Sequence, residues 1–93
     1  MKITVTAAHI NEARQWQRGK HYEPSCHCPV ALAIREATDV EWYVGCSAAA
    51  SASHRFVMPK RVQTFIQAFD FEKQVKGFQF QFIPVEYGKP HPV

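Results

Sequence analysis

A chain of 93 residues has room for one compact domain and one modest core, which argues against a second domain or a deep private substrate cleft. An apolar share of 46% excludes wholesale disorder, and a formal charge of +3 with five histidines uncounted tilts the surface towards anionic partners such as nucleotides, nucleic acid or acidic proteins. The same charge also reads as ordinary solvated surface.

The first segment, Lys2-Ile-Thr-Val-Thr6, alternates as a strand and carries no apolar signal core. No unbroken apolar run in the chain is long enough to cross a bilayer, so a cytoplasmic protein with no membrane partner is expected. Thr6 then caps a short helix carrying Ile10, Ala13 and Trp16, and the stretch from Gly19 to Pro24 reads as loop. Pro29 opens a second helix through Ala37, with Val30, Ala33, Ile34 and Ala37 on one face. Val40 to Val44 is β-rich and stops at Gly45; a low-complexity bridge from Ser47 to Ser53 leads to a second β-rich piece at His54 to Met58. The two pieces are expected to form a hairpin with a mobile connection.

Two periods follow in succession. Val62, Phe65, Ile66 and Phe69 recur at helical spacing behind Pro59, while Phe78, Phe80 and Phe82 recur at period two. From Glu86 onward, prolines and a glycine predict an extended tail. The fold class expected is α+β: a single small domain over 1–84, with an antiparallel sheet of about four strands and two main helices packed on one face, followed by an extended Pro-rich tail over 85–93. The core is predicted to contain Ile3, Val5, Val30, Ile34, Val44, Val57, Val62, Phe65, Ile66, Phe69, Phe78, Phe80 and Phe82.

Four groups of residues carry chemistry. His21, Cys26, His27 and Cys28, with Cys46 from elsewhere, supply ligand types that zinc accepts, but the paired Cys-x-x-Cys spacing is absent. With an odd number of cysteines, reduced thiols in a cytosol fit better than disulfides, and the bland reading packs Cys28 as a small hydrophobe at a helix start. No metal and no cofactor are expected. Cys28 beside the positive end of the helix dipole also has the setting of an activated thiolate, yet no histidine is fixed beside it as a base.

Third, His54, Arg55, Lys60 and Arg61 bracket the junction at Met58-Pro59 and could gather charge-assisted bonds around a phosphate, with free amides at the helix start as further donors. Against that stands the solvated-face reading of Lys60 and Arg61, and no glycine-rich phosphate loop is present. Fourth, Trp16, Tyr22, Trp42 and Tyr43 are candidate stacking platforms for a base when Arg14, Arg18, Lys20 or Arg55 holds the phosphate. Adjacent on a strand, Trp42 and Tyr43 should face opposite ways, leaving one exposed.

Cys28-Pro-Val-Ala-Leu-Ala-Ile34, Val44-Gly45, Met58-Pro-Lys-Arg-Val62, Phe65-Ile66, Phe69-Asp70 and Phe78-Gln-Phe80 together resemble a family of short, mostly uncharacterised proteins encoded by bacteriophages and prophages. The resemblance runs to about Ile83; the loop from Arg18 to His27 and the tail depart from it. It implies a stoichiometric, non-catalytic counter-defence role, since no catalytic signature is present. One such class resembles sponges that hold nucleotide immune signals between subunits; another resembles anti-CRISPR proteins that cover a Cas effector. The basic balance favours an anionic nucleotide-type ligand held by His54, Arg55, Lys60 and Arg61 and stacked by Trp42 or Tyr43 in a homo-oligomer. A host defence protein as partner, or a structural or nucleic-acid-binding phage role, are the alternatives.

Overall fold

A computed structural model describes residues 1–19 and 22–87; Lys20, His21 and residues 88–93 lie outside the described residues. Along the chain the elements run β1 (Lys2–Val5), α1 (Ala7–Gln17), α2 (Pro24–His27), α3 (Pro29–Thr38), β2 (Tyr43–Val44), β3 (Ala48–Ala50), β4 (His54–Val57), α4 (Lys60–Asp70), β5 (Phe78–Gln81) and β6 (Val85–Glu86). This is an α+β domain. The strands, however, form two antiparallel sheets rather than one: β1 pairs with β5, and a second sheet has the order β2-β3-β4-β6.

Side-chain bulk explains the division. Ile3 lies opposite Phe80 and Val5 opposite Phe78, and a Met1–Phe82 pair extends the ladder at 2.7 and 3.3 Å. Between this ribbon and β4 stand aromatic rings, with Phe56 at 6.1 Å from Phe80 and 4.8 Å from Phe82 between centroids. Ring packing joins the sheets where a backbone ladder would need strands about 4.8 Å apart. Gly77 lets β5 begin against β1, because a Cβ there would sit 2.6 Å from the Val5 carbonyl oxygen.

The bridge expected to be mobile is itself the middle of the second sheet. Ala48, Ala49 and Ala50 pair with Val57, Phe56 and Arg55 on one side, and Ala49 and Ala50 pair with Val44 and Tyr43 on the other. Alanine scores poorly as a strand former, and tertiary pairing overrides that preference. The Ser51 hydroxyl closes the turn to β4 by accepting the His54 N–H at 3.1 Å. Likewise, the tail expected from residue 85 begins as a strand: Val85 and Glu86 pair with Arg55 and His54. Tyr87 follows, donating its N–H to Ser53 O at 3.2 Å and its hydroxyl to Ser51 O at 3.0 Å, and residues 88–93 of the expected tail lie outside the described residues.

Caps set the helix ends. Thr6 caps α1 as expected, in a reciprocal box where His9 stands in the place usually held by Glu or Gln: the Thr6 hydroxyl accepts the His9 N–H at 3.3 Å, and His9 Nδ1 accepts the Thr6 N–H at 3.0 Å. That bond requires a bare Nδ1, so Nε2 carries the proton it directs at Glu36 Oε2, 2.8 Å away on α3. α4 ends in a Schellman motif, with Lys73 N–H bonded to Ala68 O and Glu72 N–H to Phe69 O, both at 2.9 Å. Glu72 occupies the left-handed position, φ 58°, where glycine is favoured. Relieving the left-handed penalty of about 1–2 kcal/mol outweighs glycine's extra freedom in the unfolded chain, so Glu72→Gly is expected to stabilise by about 0.5–1 kcal/mol. An unchanged or lower urea midpoint would contradict this.

One hydrophobic cluster draws on α1, α3, α4 and both sheets. Phe65 and Phe78, expected inside, are only half-buried and pack on each other at 4.6 Å. Val57, also expected inside, is exposed, because the period of two in β4 turns Phe56 inward. No helix among the described residues is long and apolar enough to cross a membrane.

Candidate functional site

The residues around the Pro59 junction do not converge. His54, half-buried, shares the inward parity of Phe56, and its Nδ1 lies 2.7 Å from the Ser53 hydroxyl. Arg55, one residue on, belongs to the opposite face of the sheet. The Arg61 guanidinium turns away from both: it donates to the Gln79 carbonyl on β5, lies 5.9 Å from the Phe78 ring centroid, and shares a shallow pocket with Lys2 and Gln81. Lys60 is exposed at the first position of α4. At that helix start the Pro59 carbonyl takes the Val62 and Gln63 N–H groups at 3.0 and 3.1 Å, so those two amides are used within the helix.

What the sheet does bring together is Tyr43 and Arg55. Tyr43 pairs with Ala50 and Ala50 with Arg55, and Val85 completes the cross-strand row, so these four side chains share one face. Tyr43 is 56% exposed. Two strand spacings separate Tyr43 from Arg55 by about 9–10 Å, and the methyl of Ala50 leaves the space between them low. A planar ring slotted between an aromatic face and a guanidinium needs roughly 7 Å between the flanking planes, which leaning side chains reach across that interval.

Trp42 does not take part. As expected, it faces the opposite way from Tyr43, but it is 5% exposed and packs edge-on against Phe82 at 4.9 Å, so it serves the core and not a ligand. Trp16 is partly exposed and already stacked on His27, at 3.8 Å between centroids. Arg14, suggested as a phosphate holder, is committed to the end of α4: it donates to Phe69 O at 3.0 Å and to Lys73 O, with its guanidinium 4.1 Å from the Phe69 ring centroid.

The cysteine cluster resolves into separate roles. Among the described residues no three His, Cys, Asp or Glu side chains are grouped so as to hold a metal ion; His21 lies outside those residues. Cys26, Cys28 and Cys46 are free thiols. Cys28 caps α3, its Sγ accepting the Ala31 N–H at 3.5 Å, and burial pushes its thiol up to about 11 against the pull of its backbone donors. A buried neutral thiol acting as a cap is the reverse of an activated nucleophile.

Sequence reasoning missed Asp70, the last residue of α4. Asp70 is exposed, yet partial desolvation by its neighbours holds its carboxyl above the ordinary value of 3.8, and a negative charge at a helix C-terminus is itself unfavourable. The folded state therefore keeps this proton more tightly than the unfolded chain, and stability is lost as pH rises from the ordinary value through the raised one. Asp70→Asn should accordingly melt higher than wild type at pH 7, with the gap closing as pH falls below about 4. A constant gap across that range would show that ionisation is not the cause.

No family model, no curated protein and no solved structure matches this chain.

Proposed function

We propose that this chain is a non-catalytic, phage-encoded counter-defence protein that sequesters an anionic nucleotide-type signal on the outer face of its four-stranded sheet. The observation that carries the reading is the Tyr43–Ala50–Arg55 row, which offers a ring for the base and a guanidinium for the phosphate on one rigid surface. The net charge of +3 supports an anionic ligand, and the neutral, buried Cys28 supports binding over chemistry. The resemblance to short phage proteins supports the counter-defence setting; its matching residues Val30, Ile34, Val62, Ile66 and Phe69 are core residues, which speak for a shared fold before a shared activity. A half-exposed Tyr43 on an open sheet supports a slot closed by a second copy.

Isothermal titration against cyclic and ADP-ribose-type nucleotides tests this directly. A charge-assisted bond to phosphate is worth about 1.5–3 kcal/mol and a stacked base about 1–3, so Arg55→Ala and Tyr43→Ala should each weaken binding roughly tenfold or more. Arg61→Ala, whose side chain is turned to β5, should leave affinity unchanged. Heat from no nucleotide, together with a stoichiometric complex in a pull-down with Cas effectors, would replace this reading with that of an anti-CRISPR protein. Sedimentation as a monomer in the presence of ligand would remove the second copy from the slot.

A further inference from the structure

On the opposite face of β2 from Tyr43, a cleft of about 320 Å3 opens between the junction of α2 and α3, the end of β2 and the last turn of α4. Its walls are mostly apolar: Val44, Ile66 and the buried Cys28, with Ser25 and Cys46 among the others. Asp70 is its one charged lining residue, and among the described residues no cation is paired with it. Cys46 accepts a hydrogen bond from Gln67 Nε2 at 3.3 Å. Nearby, the Tyr22 hydroxyl is buried without a hydrogen-bond partner, and the Asp70 charge reaches it.

We propose that this cleft binds a small organic cation with an apolar body, its ammonium group paired with the Asp70 carboxylate and its body against Val44 and Ile66. The volume lies at the lower end of small-molecule sites, and an apolar lining with one polar anchor is how such sites fix orientation. Asp70 is exposed, so its carboxylate is reachable by a cation from solvent, and the apolar walls beside it give the cation's body surface to bury. The same charge repels phosphates, so the cleft selects against the anionic ligands proposed for the sheet face, and neither proposal depends on the other.

Amide chemical-shift titrations of the whole chain at pH 7 with benzylamine, benzyl alcohol and benzoate distinguish the outcomes. Benzylamine should move the amides of Val44 to Cys46 and of the last turn of α4, with a dissociation constant of about 1 mM or tighter and at least tenfold below that of benzyl alcohol. Alkylation of Cys46 by iodoacetamide should slow when the amine is bound. Asp70→Asn should erase the preference for amine over alcohol while the variant stays folded, as its spectrum will show. Equal affinities for amine and alcohol in the wild type, a preference for benzoate, shifts confined to other surfaces, or an unaltered preference in Asp70→Asn would each overturn the proposal.

Discussion

Replacing Phe80 by alanine is expected to remove about 3–5 kcal/mol of stability and to lower the melting temperature by about 12 °C or more. Phe80 is 2% exposed and sits where the two sheets meet: it lies opposite Ile3 in the β1–β5 ladder and 6.1 Å from Phe56 of the other sheet. Because aromatic side chains and not backbone bonds connect the sheets at this point, the loss has no ladder to soften it. The surrounding residues come from three separate segments, so collapse into the void requires all of them to move together. A domain holds only about 5–15 kcal/mol in all, which makes this single change comparable to the whole reserve. Phe71→Ala provides the control, since Phe71 is 78% exposed and its loss should stay within about 0.5 kcal/mol. Equal melting temperatures for the two variants would refute a core centred on Phe80. Phe65→Ala should fall between them, because that ring is half-buried.

Arg14→Ala should be the most damaging change to a charged residue, at about 1.5–3 kcal/mol. Its guanidinium ties α1 to the end of α4 by three separate means: the bond to Phe69 O, the bond to Lys73 O and the face of the Phe69 ring. A cation at the carbonyl end of a helix also opposes the helix dipole, and Arg14 supplies one where α4 has no basic residue of its own in its last turn. Phe69 O keeps Gln17 Nε2 at 3.3 Å and the Glu72 N–H, so the effect stops short of orphaning it. Arg14→Lys should recover at most half, because a single ammonium cannot fork across two carbonyls and stack on a ring as well. Denaturation midpoints for the three proteins decide the matter. A loss below about 0.5 kcal/mol in Arg14→Ala would place the residue among ordinary solvated charges.

Much of this architecture is legible from periodicity. The α4 stripe of Val62, Ile66 and Phe69, the Pro29 helix start and the alternation about Ile3 and Val5 all describe faces that end up buried. Periodicity fails where the pairing partner decides the outcome. Ala48 to Ala50 carries no strand signal of its own and becomes one because Phe56 and Val44 flank it. For β4 the sequence reading places Val57 inside, but the parity adopted buries Phe56 and leaves Val57 out. Of the candidate site, Tyr43 and Arg55 come together through a register that no local pattern encodes, whereas Arg61, close to Arg55 in sequence, sits on α4 and turns its guanidinium to β5 of the other sheet. Adjacency along a chain says little about adjacency across a strand-to-helix turn. Asp70 escaped notice because a carboxylate at a helix end has no signature until its surroundings are known.

The pairing of the first described residue with Phe82 joins positions 81 apart in the chain. A ribosome adding about 5–20 residues per second makes β1 roughly 4–16 s before its partner strand exists. The pairing edge of β1 must wait through that interval even though α3, which also packs on β1, is made earlier, since β5 is the only strand among the described residues that pairs with β1. Three strands of the second sheet have no such delay, because β2, β3 and β4 emerge in immediate succession and close through short turns; its edge strand β6 comes after β5. Assembly during synthesis is therefore ordered, with β2, β3, β4 and α3 available first as a platform and the β1–β5 ladder and the β6 edge added last. Folding should be slow for so small a domain, as it is wherever distant segments must meet before either is stable.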